Sequence, residues 1–390
     1  MSGIINLQIF KQFFKSGSAG GVILICSVLV SLIVANTSAG EQLQHILNYA
    51  LGYENSWLQL KYPVLLWIND GLMAIFFLLV GLEIKRELVE GELSTIKKAS
   101  LPILAAFGGA IVPAIIFLLF NKNTISADGW GIPMATDIAF ALAIIALLGK
   151  RVPVSLKIFL AALAIVDDLI AILVIAFFYS SELHLINLLY AGGLLAVLFI
   201  LNRAGIKNLV FYLIPGLFIW YFVHHSGIHA TIAGVLVAFT LPTNKGSNES
   251  PLEKLEHILM KPVNFFIMPL FALANTNITI EADMFTALDS PLGLGIMAGL
   301  LIGKPVGILF SSWLAVKAGL SKLPDAASWK HITGIGIIGG IGFTMSIFIA
   351  LLSYPENVVL QTEAKFAVLL TSVTAGIVGY MWLKKTGKGM

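Results

Sequence analysis

Charge is what this 390-residue chain has least of. Only 12% of its residues are Asp, Glu, Lys or Arg, against 58% hydrophobic, about half the charged share of an ordinary soluble domain. That excludes a typical water-soluble enzyme and points to a chain whose solvent is largely lipid. Cysteine is almost missing as well. A lone Cys26 permits neither an internal disulfide nor a thiolate metal centre, which removes thiol redox chemistry. No arginine-rich stripe with interleaved aromatics occurs, and a net charge of +3 scattered over short connections excludes nucleic acid as a partner. Low-complexity sequence is absent too; the Ser- and Asn-containing stretch 244–251 is an ordinary linker.

What remains is apolar sequence in lengths that suit a bilayer, each span taking about 20 residues. Hydropathy predicts twelve helices, at 17–36, 62–84, 100–120, 130–148, 153–179, 183–201, 208–223, 227–241, 258–276, 290–316, 331–353 and 364–383. These fill the chain, so one all-α integral membrane domain over 1–390 is expected, with no large soluble domain and no cofactor. The first apolar run, beginning after Lys11 and Lys15, is longer than a signal-peptide core and is taken as a retained helix. Basic residues orient the array. All of the 24 Lys and Arg except Lys61, Lys122, Lys365 and Lys304 fall in connections on one side, which places both termini in the cytoplasm of a multi-pass inner-membrane protein. The longest external connection, 37–62, contains Glu41, Tyr53, Trp57 and Leu58 and fits a short hairpin or amphipathic piece, either lying on the headgroups or forming a dimer contact.

Ionisable residues inside spans are the informative exceptions, because each costs roughly 2.5–3.5 kcal/mol near the bilayer centre even on the lenient insertion scale. Five stand out: Asp70 in WINDGLMAIFF, Asp137 in GIPMATDIAFAL, Asp167 and Asp168 in LAIVDDLIAIL, and Lys304 in LIGKPVGI. Neighbours on a helix point about 100° apart, so Asp167 and Asp168 cannot both face one ligand equally; one faces a water-filled cavity while the other turns to a partner. A carboxylate that takes either a proton or a hard cation, never both strongly, is the minimal exchange device. Lys304 needs an acid, and Asp167 is the partner assigned to it. Asp70 either lines an external funnel or is held by Asn69 and a backbone group.

Thr136 and Asp137 follow Gly129, Gly131 and Pro133, so the fourth helix is predicted to be interrupted where a hydroxyl and a carboxylate arrive. Asp137 would neutralise a half-helix N-terminus or supply a cation ligand. A matching interruption is expected in the eleventh helix, in GIGIIGGIGFTMS, whose glycines also suit close packing. Helices three to five then correspond to ten to twelve in opposite orientation, an inverted repeat of the kind found in secondary transporters. At the inner end of the second span, Glu83, Arg86 and Glu87 could join Glu256 and His257 in a titrating cluster, and His229 opens the eighth span as a packing residue or a sensor.

Together, NDGLMAIFFLLVGLEIKREL, PMATDIAFAL, LAIVDDLIAI, SGIHATIAGV, MPLFALAN and GKPVGI resemble the NhaA sodium/proton antiporter family over almost the whole length. The resemblance implies twelve helices with crossing interrupted fourth and eleventh members, and electrogenic exchange of external protons for cytoplasmic sodium or lithium, activated at alkaline pH. It implies that Asp168 and Asp167 carry ion and proton, that Lys304 pairs with Asp167, and that Thr136 and Asp137 steady the interrupted helix. Glu83, Arg86, Glu87, His229, Glu256 and His257 match positions linked to pH response, and the 37–62 connection matches a hairpin joining two protomers. Glu253 and Met260 depart from the pattern, standing where a lysine and a histidine are common. The rival expectation is a sodium- or proton-coupled symporter of an organic solute, which would need a roomier polar cavity. An intramembrane aspartyl protease would need its two acids apart, not adjacent. A passive sodium channel would differ in lacking strict coupling to the proton gradient.

Overall fold

The computed structural model describes residues 7–55, 59–180, 183–244 and 249–387. Trp57, Leu58, Lys245 and Lys388, which entered the sequence argument, lie outside them. Among the described residues, eight helices are long and apolar enough to cross a membrane: Val64–Val89, Ile96–Asn121, Ala127–Leu148, Val154–Phe178, Leu185–Arg203, Pro251–Asn275, Pro291–Lys317 and Val358–Thr386. Two bent pairs add to them: Ala19–Ala35 with Ala39–Asn48 at 110°, and Trp329–Gly339 with Phe343–Ser353 at 46°. This is a helical, multi-pass membrane protein. One of the expected spans, 227–241, is shorter than the sequence suggests. Val210–His224 has 15 residues and Ile232–Thr240 only 9, which at about 1.5 Å per residue gives lengths of ~22 and ~14 Å against a hydrocarbon core of ~30 Å. The residues between them, around Gly227 in a left-handed conformation (φ +87°), go into turns that apolar composition alone does not reveal.

The chain forms two compact units. The first contains the described residues of Met1–Val22 with Glu87–Ile175 and Glu281–Met390. Here Pro291–Lys317 runs against Ile96–Asn121 with their backbones in contact. A Cβ on Gly307 would lie 2.1 Å from the Gly108 carbonyl oxygen, and one on Gly303 would lie 2.9 Å from Pro113 Cα, so only glycine allows this approach. Ala127–Leu148 is not one α-helix. Residues Ala127–Met134 wind as a 3-10 helix, Ala135–Asp137 leave the helix, and Ile138–Leu148 resume as α. The Gly340–Gly342 segment likewise separates Trp329–Gly339 from Phe343–Ser353, where successive glycines weaken the helix by about 1 kcal/mol each relative to alanine. Ile132, Ile335, Ile338, Phe343 and Phe348 are buried around these two breaks.

The second unit, Ile23–Arg86 with Ala176–Ile280, has a core of Leu82, Tyr212, Ile219, Val237, Leu241 and Leu252. Gly81 and Gly234 bring Val64–Val89 and Ile232–Thr240 together, since a Cβ on Gly234 would fall 2.2 Å from the Ala74 carbonyl oxygen. The 37–62 connection holds the Ala39–Asn48 helix and a small antiparallel ladder pairing Ala50 with Pro63 and Leu51 with Tyr62, extended by a Glu54–Gln59 bridge.

Candidate ion site

The first unit brings an acid, a lysine, a hydroxyl and two interrupted helices to one buried place. Asp167 and Asp168 sit at the middle of the Val154–Phe178 helix, each 2% exposed. Lys304 Nζ lies 2.5 Å from Asp167 Oδ2 and also donates to the Met134 carbonyl. The lysine is fully buried, its stem running between Gly109 and Gly339, where added Cβ atoms would be 3.6 and 3.8 Å from its Cε. The Thr136 hydroxyl stands 2.7 Å from Asp167 Oδ2 and 2.8 Å from the Gly339 carbonyl oxygen. Asp167 Oδ1 has no hydrogen-bond partner among the described residues. A buried pair of this kind adds little net stability while intact, but loss of one partner costs about 3–5 kcal/mol because the other charge is stranded.

Asp137 is placed by the break itself. It caps the Ile138–Leu148 helix, its Oδ1 accepting from Phe140 N at 2.9 Å. Its Oδ2 accepts from the backbone N–H of Thr344 at 3.2 Å and from the Thr344 hydroxyl at 2.5 Å. Two helix N-termini therefore aim their partial positive charge at one carboxyl. The breaks are also joined through Asp137 N to the Ile341 carbonyl (2.7 Å) and Ser346 Oγ to the Ile132 carbonyl (2.6 Å). Interrupted backbone at membrane depth persists only where its polar groups find such partners. Thr344, Ser346 and the Gly339 carbonyl were not singled out from sequence. The glycine-rich GIGFTMS stretch was the available signal, but a threonine carries no mark of its partner.

The other named residues fall in separate places. In the second unit, Asp70 lies in a π-helical turn, Trp67–Leu72. Its Oδ2 is 3.1 Å from His224 Nδ1, and its Oδ1 is 3.6 Å from His229 Nε2, whose Nδ1 meets the Thr231 hydroxyl at 2.9 Å. Asn69 exchanges two amide hydrogen bonds with Asn275, at 3.2 and 2.7 Å. His224 and Asn275 escaped the sequence argument. Arg86 Nε bonds both carboxylate oxygens of Glu256, at 3.1 and 2.9 Å, and Glu83 is buried. His257 turns away from that pair, its Nδ1 2.7 Å from exposed Glu249 Oε1, because adjacent helix residues diverge. Glu253 closes a capping box with Ser250. Lys85 reaches the Phe239 and Leu241 carbonyls at 2.7 and 2.5 Å, and Asn202 reaches that of Thr240 at 2.6 Å, so side chains satisfy the C-terminus of Ile232–Thr240. In the first unit, Glu87 Oε2 accepts from Glu92 N at 2.9 Å.

This geometry can be set beside known sequences. A family model described as Na+/H+ antiporter 1 matches residues 11–383. The chain belongs to this antiporter family. It is 63% identical over 389 residues to the Na(+)/H(+) antiporter NhaA 2 of Flavobacterium johnsoniae, covering 100% of this chain and 95% of that protein. Identity is 52% with the Na(+)/H(+) antiporter NhaA of Flavobacterium psychrophilum (96% of each chain) and 48% with that of Yersinia enterocolitica (97% of each). The family is one of transporters.

Proposed function

We propose that the chain is a secondary active antiporter that exchanges external protons for cytoplasmic sodium or lithium, electrogenically and under control of pH. The observation that carries this is the fully buried acid pair beside two interrupted helices, with Lys304 held against Asp167 at 2.5 Å. Asp168 is the sodium ligand in this account and Asp167 the carrier that exchanges partners with Lys304. Thr136 and Asp137 hold the break. Sodium, the transported substrate, is a hard cation and suits carboxylate and backbone oxygens. With the site open inward, sodium displaces protons; the assembly then changes access, and external protons displace sodium.

Support for twelve spans comes from counting Ala19–Ala35 as one span, the bent pair Trp329–Gly339 with Phe343–Ser353 as another, and the two short helices with the eight long ones. The triplet from Ile96 to Phe178 and the triplet from Pro291 to Thr386 then each carry a break in the middle member, consistent with an inverted repeat. Both termini face the cytoplasm in this arrangement, in an inner membrane. Arg86 with Glu256, together with Glu83, Glu87 and His229, tunes the response to pH, and Asp70 lines the outer approach. The 37–62 ladder pairs two copies of the chain. The test is dissipation of a pH gradient in everted vesicles on adding sodium, lithium or potassium across a pH series. Sodium- and lithium-driven proton movement without added organic solute is expected; a requirement for solute, or flux indifferent to the proton gradient, would refute the proposal.

A further inference from the structure

Gly295, Gly299, Gly303 and Gly307 recur every fourth residue along Pro291–Lys317, and all four reach Ile96–Asn121: added Cβ atoms would fall 2.4 Å from Asn121 Nδ2, 3.4 Å from the Pro113 carbonyl oxygen, 2.9 Å from Pro113 Cα and 2.1 Å from the Gly108 carbonyl oxygen, Gly299 lying closest to Pro133, 2.7 Å from its Cβ. A regular α-helix cannot present them so. At about 100° per residue, twelve residues overshoot whole turns by roughly 120°, which would carry Gly307 well off the face that Gly295 occupies. The helix is not regular. Gly299–Gly303 form a π-turn, and the Lys304 N–H bonds to the Gly299 carbonyl, five residues back. Such a turn holds one extra residue and sets the following helix back by about 100°, leaving a drift of roughly 20°. Pro305 supplies the cause: without an N–H, and with a ring that crowds the carbonyl four residues earlier, it disfavours α-geometry at Leu301.

We infer that the Gly299–Gly303 π-turn and Pro305 are the positioning device for Lys304, re-phasing the helix so that the ammonium enters the Gly109–Gly339 slot and meets Asp167. The inference deepens the proposed ion site and rests on it for its consequence in transport, while its geometric claim stands alone. Pro305→Ala restores the N–H without adding bulk, so the segment can relax to α and swing Lys304 out of the slot. Gly303→Ala forces the two helices apart at Pro113 instead. The experiment is a double-mutant cycle on the purified full-length chain: melting temperatures of Lys304→Met, Asp167→Asn and the double variant, in the wild-type background, in Pro305→Ala, and in Gly192→Ala, whose Cβ meets open space. In the wild-type and Gly192→Ala backgrounds, the double variant is expected to melt well above the sum of the single shifts. In Pro305→Ala the shifts should add, because the charges no longer meet. A merely structural proline would lower every melting temperature and leave the coupling intact. Coupling in Pro305→Ala above half its wild-type size overturns the inference; Pro305→Ser, which likewise restores the N–H, is read the same way if Pro305→Ala yields no folded protein. Failure of the wild-type chain to exchange sodium for protons would remove the antiport proposal and leave this cycle's result unchanged.

Discussion

Replacing Asp137 with alanine should strand three donors at once: Phe140 N, Thr344 N and the Thr344 hydroxyl, which the carboxyl now accepts at 2.9, 3.2 and 2.5 Å. Asp137 is 1% exposed, so water does not replace it readily. Each buried unsatisfied donor costs about 1–3 kcal/mol, and the hydroxyl can rotate to another acceptor, so the two stranded N–H groups set the loss at about 2–6 kcal/mol in all. At about 2.1 cal/mol/K per residue, the unfolding entropy of 390 residues makes 1 kcal/mol worth about 1.2 °C, which predicts a fall of about 2–7 °C. Asp137→Asn keeps an oxygen for Phe140 N but turns an amide donor towards Thr344 N. It should lose about half as much, roughly 1–4 °C. Thr344→Val removes the hydroxyl partner alone and should cost less than the alanine variant. The assay is thermal melting in detergent, followed by intrinsic tryptophan fluorescence. An alanine variant within a degree of wild type, or an asparagine variant as unstable as the alanine one, would refute the view that one carboxyl caps two helices.

Glu256→Gln should displace the half-maximal pH of exchange by roughly half a unit, the equivalent of about 0.7 kcal/mol of pairing with Arg86, with the maximal rate within about twofold. His257→Ala, whose ring meets exposed Glu249, should leave that pH unchanged in the same vesicle titration. Asn69→Leu and Asn275→Leu should each cost about 1–2 kcal/mol by stranding the other amide, and the double variant less than their sum, checked by melting temperature.

The helical membrane fold was legible because lipid imposes a simple rule on composition, and 58% hydrophobic residues with 12% charged satisfy little else. Asp137, Asp167, Asp168 and Lys304 stood out for the same reason, as charges against an apolar background. The pairing of Lys304 with Asp167 was legible with them, but their other partners were not. Thr344 is an ordinary threonine, and the Met134 and Gly339 carbonyls have no letter of their own, since every residue carries one. Helix lengths were legible where the apolar run was uninterrupted. They failed at 227–241, where turn residues around Gly227 sit in sequence as apolar as the helix that follows them. The π-turns at Trp67–Leu72 and Gly299–Gly303 left only an indirect trace, such as Pro305, because hydrophobic periodicity over so few residues does not separate π from α geometry. Placing His257 beside Glu256 in one cluster overlooked the divergence of adjacent helix positions.

The central claim is that Asp168 carries the transported cation in exchange for protons. Its most direct test is sodium-driven pH dissipation in everted vesicles, comparing wild type with Asp168→Asn at equal protein content across a pH series. Asparagine keeps the size and loses the exchangeable charge. The account predicts robust sodium-dependent proton movement in the wild type and none above the transporter-free background in the variant at any pH. Sodium-driven exchange persisting in Asp168→Asn would contradict it.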